Sequence, residues 1–167
     1  MTLTPIRAWH AIFIVVAANL VSALPAGFAG DAIFYNSFAQ PVVAPPAWLF
    51  PPVWLFLNIT SAIALYRVAR VLAGHERRLF IASEAVGWVT FLAFSYLYFL
   101  MQSSILAAAD TALGLFAALL SAGLAWRADR LSALLIGLRV AWLLLATYVS
   151  AWVAINNTDP LLFRLFN

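Results

Sequence analysis

Five runs of nearly uninterrupted apolar residues, parted by short polar or proline-rich breaks, decide most of what this 167-residue chain can fold into. They lie at about Ala8–Ala29, Ala47–Ala73, Leu79–Met101, Ser104–Trp126 and Leu131–Ile155. A helix needs about 20 apolar residues to cross the hydrocarbon core of a bilayer, and each run is long enough. The runs are apolar on all sides, rich in Ala and Leu, and lack the roughly 10-residue alternation of a membrane barrel. The expected fold is therefore all-α: an integral membrane bundle of five transmembrane helices, forming a single domain over residues 1–167. Composition closes the soluble alternative, because 66% hydrophobic and 9% charged residues, with a mean hydropathy of +1.00, cannot cover a water-facing surface.

Charge placement then orients the bundle. All nine basic residues are arginines. Threading five spans puts Arg7, Arg67, Arg70, Arg77, Arg78, Arg127 and Arg130 on one face and leaves Arg164 on the other. By the positive-inside rule the N-terminus is expected in the cytoplasm, with the C-terminus and the connection Gly30–Pro46 on the opposite face. Arg7 followed by "AIFIVVAANLVSALPAG" also imitates a secretory signal. The span reading is preferred because cleavage there would strip the long connection of its first anchor. Cysteine is absent, which excludes disulfides, thiolate metal sites and cysteine nucleophiles.

The connection into the second span is the unusual segment. In "FAQPVVAPPAWLFPPVWLFLN", Pro41, Pro45 and Pro46 fix φ, remove backbone donors and hold the approach extended. Pro51 and Pro52 fall near the first helical turn, where a missing amide proton costs least. Trp48, Phe50 and Trp54 set large aromatic faces at the mouth of the bundle, a position Trp also takes as a plain interfacial anchor.

These residues resemble the TspO/MBR family, the translocator or tryptophan-rich sensory proteins. That family carries a loop of the form Lys-Pro-x-x-x-Pro-Pro-x-x-x-Phe-x-x-x-Trp before its second helix, and here Gln40, Pro41, Pro45, Pro46, Phe50 and Trp54 stand at the same spacing. Gln40 replaces the lysine, and Val42 and Val43 stand where many members place Trp. The Asn-x-x-Trp-x-Pro pattern of the third helix falls on Trp88, Phe91 and Ala93. The fifth-helix pattern keeps Trp142, Ala146 and Thr147 but puts Leu138, Arg139 and Ser150 at its other positions. The chain is similar to a divergent member.

Helical spacing brings these positions onto shared faces. Trp54, Asn58, Ser61 and Leu65 align on the second span; Trp88, Phe91, Ser95 and Tyr98 on the third; Arg139, Trp142, Ala146 and Val149 on the fifth. Such an interior suits a flat hydrophobic ligand with polar edges, and it equally describes packed core. The resemblance implies a receptor or transport-type membrane protein binding a tetrapyrrole such as a porphyrin. On that basis the expected ligand-binding residues are Pro45, Pro46, Phe50, Trp54, Asn58, Trp88, Phe91, Trp142, Ala146 and Thr147. No catalytic acid or base is expected. Light-dependent porphyrin breakdown, proposed for some relatives, would need tryptophan photochemistry instead.

Three ionisable residues lie inside the spans. Glu84 and Arg139 stand one to two turns inside the same ends of their helices and can pair, or Arg139 can meet a ligand carboxylate. Asp110 lies near the opposite face, where it can snorkel to the interface or protonate. The same three residues frame an alternative of another class, a small ion- or proton-coupled transporter. Gly114, Ala118 and Ala122 form a small-residue stripe that permits close helix approach within the bundle or between subunits. The resemblance implies a homodimer. His10 and His75, without an HExxH spacing or a carboxylate cluster, give no expected metal centre, and no cofactor or nucleic-acid partner is expected.

Overall fold

The computed structural model describes residues 8–29 and 31–166. Helix α1 (Ala8–Ala29) leads through a short α2 (Asp31–Asn36) and an irregular stretch, 37–46, to one 3-10 turn (Ala47–Leu49) that opens into α3 (Phe50–Val71). Helix α4 (Gly74–Ser95) widens at its end into a π turn (Tyr96–Leu100), and α5 (Ser104–Ala128), α6 (Arg130–Asn156) and the short α7 (Pro160–Phe166) follow. The described residues contain no strand. Four of these segments are long and apolar enough to cross a membrane, and α1 contributes a shorter apolar segment, Ile12–Leu24. Arg7, the basic start of the signal-like stretch, lies outside the described residues.

Local chemistry explains the ends. Pro51 and Pro52 occupy the first turn of α3, where their absent N–H groups would have had no helical partner. Helix α4 begins five residues before the expected Leu79, at Gly74, whose φ of +55° turns the chain into α4 after the extended Leu72 and Ala73. Glu76 lies in that first turn, favoured by the positive end of the helix dipole. The α3–α4 connection therefore shrinks to Leu72 and Ala73, and His75, Arg77 and Arg78 are helical. At the α5–α6 turn, Asp129 accepts from Arg67 Nε at 2.6 Å and from the Ser132 hydroxyl at 2.7 Å. The Arg67 hydrogen bond, then that of Ser132, lowers the Asp129 carboxyl to about 2.

The long helices pack as a ring in the order α1–α3–α6–α5–α4, closing back onto α1. Their outer faces carry exposed apolar side chains, among them Phe13, Val16 and Leu20 on α1, Leu113 and Phe116 on α5, and Leu134 and Leu144 on α6. Inside, Ser61, Ala64, Ala118, Ser121, Ala125 and Ser132 are buried, and their small side chains let backbones approach closely. Ser83 and Ser121 share a hydrogen bond of 2.7 Å between α4 and α5. A Cβ at Gly114 would sit 3.0 Å from Thr90 Oγ1, so glycine is what lets α4 and α5 meet at that height. The small-residue stripe is thus turned into the bundle, with Gly114 and Ala118 buried and Ala122 packed on the core around Ala64 and Phe80.

Candidate functional site

Both ends of the proline-rich connection are tied down by polar groups. The Tyr35 hydroxyl donates to the Pro45 carbonyl at 2.8 Å, and Gln40 Nε2 donates to the Tyr35 carbonyl at 2.9 Å. From the far side, Asn157 pairs with the Ala39 backbone, accepting from its N–H at 2.9 Å and donating to its carbonyl at 3.1 Å. Two residues further on, Asp159 accepts from the hydroxyls of Ser103 and Ser104 and from the N–H groups of Ile105 and Leu162. One carboxylate therefore caps the starts of α5 and α7 together. Ser103 and Ser104, in the short turn before α5, are buried in this clasp.

Beneath the connection, the centre of the ring encloses a cavity of about 530 Å³, within the range of small-molecule sites. Tyr35, Pro45 and Phe50 roof it. Its walls are Trp54 from α3, Phe91, Phe94 and Tyr98 from α4, Ala107 and Asp110 from α5, and Trp142, Ala146 and Val149 from α6. The aromatic rings meet in two sets. Tyr35 meets Phe50 edge-on at 5.4 Å between centroids, Phe50 meets Trp142 at 5.6 Å, and Trp54 meets Phe91 at 5.0 Å. The π turn at the end of α4 allows Tyr98 and Phe99 both to line the space, with the Met101 N–H bonded to the Tyr96 carbonyl at 2.9 Å.

Six of the expected ligand-binding residues, Pro45, Phe50, Trp54, Phe91, Trp142 and Ala146, come together on this lining. Pro46, Asn58, Trp88 and Thr147 are not brought to it. Pro46 is exposed at the start of the 3-10 turn with φ −66° and ψ 147°. Asn58 is buried one turn below Trp54 and donates to Asn19 Oδ1 at 3.3 Å, so Asn19 is the residue that carries this polar pair to the cavity. Trp88 packs with Ala18, Ala62 and Phe91 behind the wall, and Thr147 lies beside Ala146 with its hydroxyl buried and unpartnered. Trp142 Nε1 is likewise buried without a hydrogen-bond partner, which leaves a donor on a wall residue. Asn19, Ser22 and Tyr35 were missed as lining residues because α1 and α2 carry no motif that singles them out.

The ionisable residues separate into two environments. Arg139 clasps Glu84 with both terminal nitrogens, at 2.5 and 3.2 Å, and the two are 5% and 1% exposed. Since α5 stands between α4 and α6 in the ring, this pair crosses the interior as a brace one turn below Trp142 and Leu143. The expected pairing is present, though deeper than one to two turns, because α4 starts at Gly74. Asp110 stands on the cavity wall.

The sequence model of the TspO/MBR family matches residues 10–155. The chain belongs to the TspO/MBR family. It is similar to the Tryptophan-rich protein TspO of Chlorobaculum tepidum, 29% identical over 136 residues that cover 76% of this chain and 85% of that protein. The departures from the TspO/MBR loop pattern have visible consequences here. Gln40, at the family's lysine position, braces the roof through the Tyr35 carbonyl rather than offering a charge. Val42 and Val43, where many TspO/MBR members have Trp, are exposed at the tip of the loop and add no aromatic surface to the cavity.

Proposed function

We propose that this membrane protein of the TspO/MBR family is a receptor or transport-type binder of a flat hydrophobic ligand, a tetrapyrrole of the porphyrin type, held in the cavity under the proline-rich connection. One observation carries the reading: an interior space of about 530 Å³ framed by the rings of Phe50, Trp54, Phe91 and Trp142. Stacking on aromatic faces and burial of apolar area would supply the affinity. The unpartnered Trp142 Nε1 and the Asn19 amide supply polar contacts for a ligand edge. Binding rather than turnover is proposed, and Glu84 and Arg139, held in mutual contact below the cavity, brace the bundle rather than meet the ligand. A homodimer, which the family resemblance implies, would have to use outward faces, because Gly114 and Ala118 are covered by the chain's own helices.

The test is a fluorescence titration of the purified protein in nanodiscs with a soluble porphyrin. Quenching that saturates near one porphyrin per chain is expected; linear, non-saturating quenching would refute the reading. A pH-gradient-driven flux in liposomes without porphyrin binding would favour the ion-coupled alternative, in which Asp110 would line the route.

The proposed orientation keeps the N-terminus and the helix ends bearing Arg67, Arg70, Arg77, Arg78, Arg127 and Arg130 in the cytoplasm. The roof of the cavity and α7 then face the opposite compartment. Reporters fused after Ala39 and at the C-terminus should report that compartment, and those at His75 and Asp129 the cytoplasm. Cytoplasmic labelling of the Pro41–Pro46 segment would reverse the assignment.

A further inference from the structure

Asp110 is the one carboxylate among the described residues of the cavity lining, and that lining includes no Arg, Lys or His. It makes no hydrogen bond or ion pair with any described residue. The arginines on the far half of α6 and on α7 are otherwise engaged. Arg139 is bound to Glu84 with both terminal nitrogens. Arg164 donates to the carbonyls of Met101 and Pro160. Asp159, close by at the start of α5, is satisfied by its own clasp of hydroxyl and N–H donors.

An uncompensated carboxylate in a low-dielectric space is a strong determinant of what can enter it. The lining also carries aromatic faces, including Phe94 of α4 and Tyr98 of the π turn, stacked 5.4 Å apart at 16°. Faces of this kind attract cations through the ring quadrupole. A carboxylate and aromatic faces around one apolar cavity together suit a nitrogen cation on a flat aromatic body.

We propose that Asp110 is the specificity-determining residue of this cavity, and that it selects flat aromatic ligands which turn a cationic, N–H-bearing nitrogen toward α5. The inference rests on the binding role proposed above and narrows the ligand class. For an acidic tetrapyrrole it disfavours poses that turn a carboxylate edge toward α5.

The experiment uses the full chain in phosphatidylcholine nanodiscs and two probes of matched shape, 9-aminoacridine as the cation and 9-methylanthracene as the neutral isostere. Each is titrated against the parent and against Asp110→Asn. The ratio of parent to variant affinity for each probe cancels membrane partitioning. For the cation that ratio should be about 10- to 100-fold, the scale of a charge-assisted hydrogen bond out of water, and for the neutral probe near 1. Equal ratios for the two probes would overturn the proposal while leaving cavity binding intact. A carboxyl that stays protonated would give that result, or a neutral probe favoured by the parent. Failure of both probes and of porphyrin to bind the parent would overturn this proposal and the binding role together. Asp110→Ser provides a second carboxylate-free variant should Asp110→Asn fail to fold, and the same pair of ratios decides.

Discussion

Glu84→Ala is expected to be the most destabilising single substitution in the bundle, by about 3 to 5 kcal/mol, because it leaves a buried guanidinium without its carboxylate. Arg139 is 5% exposed, its Nε already has no hydrogen-bond partner, and both of its terminal nitrogens go to Glu84. Glu84 stands 10 residues from Gly74, and Arg139 nine from Arg130. These offsets correspond to roughly 13 to 15 Å of helix, close to half of a hydrocarbon core of about 30 Å. Neither group can reach an interface from there. Replacing both, as Glu84→Leu with Arg139→Met, should recover most of the loss, since an apolar pair of similar volume avoids both desolvation penalties. Denaturant unfolding in detergent distinguishes the two variants. A Glu84→Ala protein as stable as the parent would mean that the brace does not hold α4 and α6. A double variant as unstable as the single one would mean that the pair contributes more than mutual neutralisation.

That pair shows how far the sequence could be followed. Burial at matched depth made Glu84 and Arg139 natural partners, since an intramembrane charge must find one. The spans were legible for the same reason: twenty apolar residues in a row leave a chain few other structures. Harder to see was everything set by short polar contacts between distant segments. Asn157 and Asp159 sit in an unremarkable "INNTDP", yet they fasten Ala39 and the start of α5, partners 118 and 54 to 56 residues away. No local pattern encodes such pairings. That Asp110 would stand on the cavity wall was not legible, because a position along the helix says nothing of the helix's rotation about its own axis. Its face was nevertheless present in the sequence as Ala107, Thr111 and Gly114, which line the same wall. Trp88 sits behind that wall for a related reason: three-residue spacing to Phe91 places them on one flank, and packing against Ala18 and Ala62 decided which ring met the cavity.

Trp142→Ala is expected to weaken porphyrin binding by about two decades or more, the scale of losing a central aromatic anchor. Trp142 lines the cavity, meets Phe50 at 5.6 Å, and holds a buried Nε1 with no partner, so its removal takes a wall, a contact to the roof and a donor together. The prolines should act differently. Pro45 lines the cavity whereas Pro46 is exposed, so their shared contribution would be stiffness of the roof rather than contact with the ligand. Freeing about two residues of backbone raises the ordering cost of binding by about 2 to 4 kcal/mol at most. Pro45→Ala with Pro46→Ala should then lose one to three decades of affinity, by order of magnitude, with the bundle still inserted because insertion depends on the spans. Alanine at position 45 keeps the carbonyl that accepts from Tyr35. Tyr35→Phe removes that tether instead while leaving both prolines and nearly all apolar contact in place. If the roof works as a preorganised lid, Tyr35→Phe should weaken binding in the same direction by roughly 10-fold, the net scale of one hydrogen bond. Proline and tyrosine variants that bind as tightly as the parent, beside a defective Trp142→Ala, would show that the prolines only shape the start of α3. The cavity would then be closed by its aromatic walls alone.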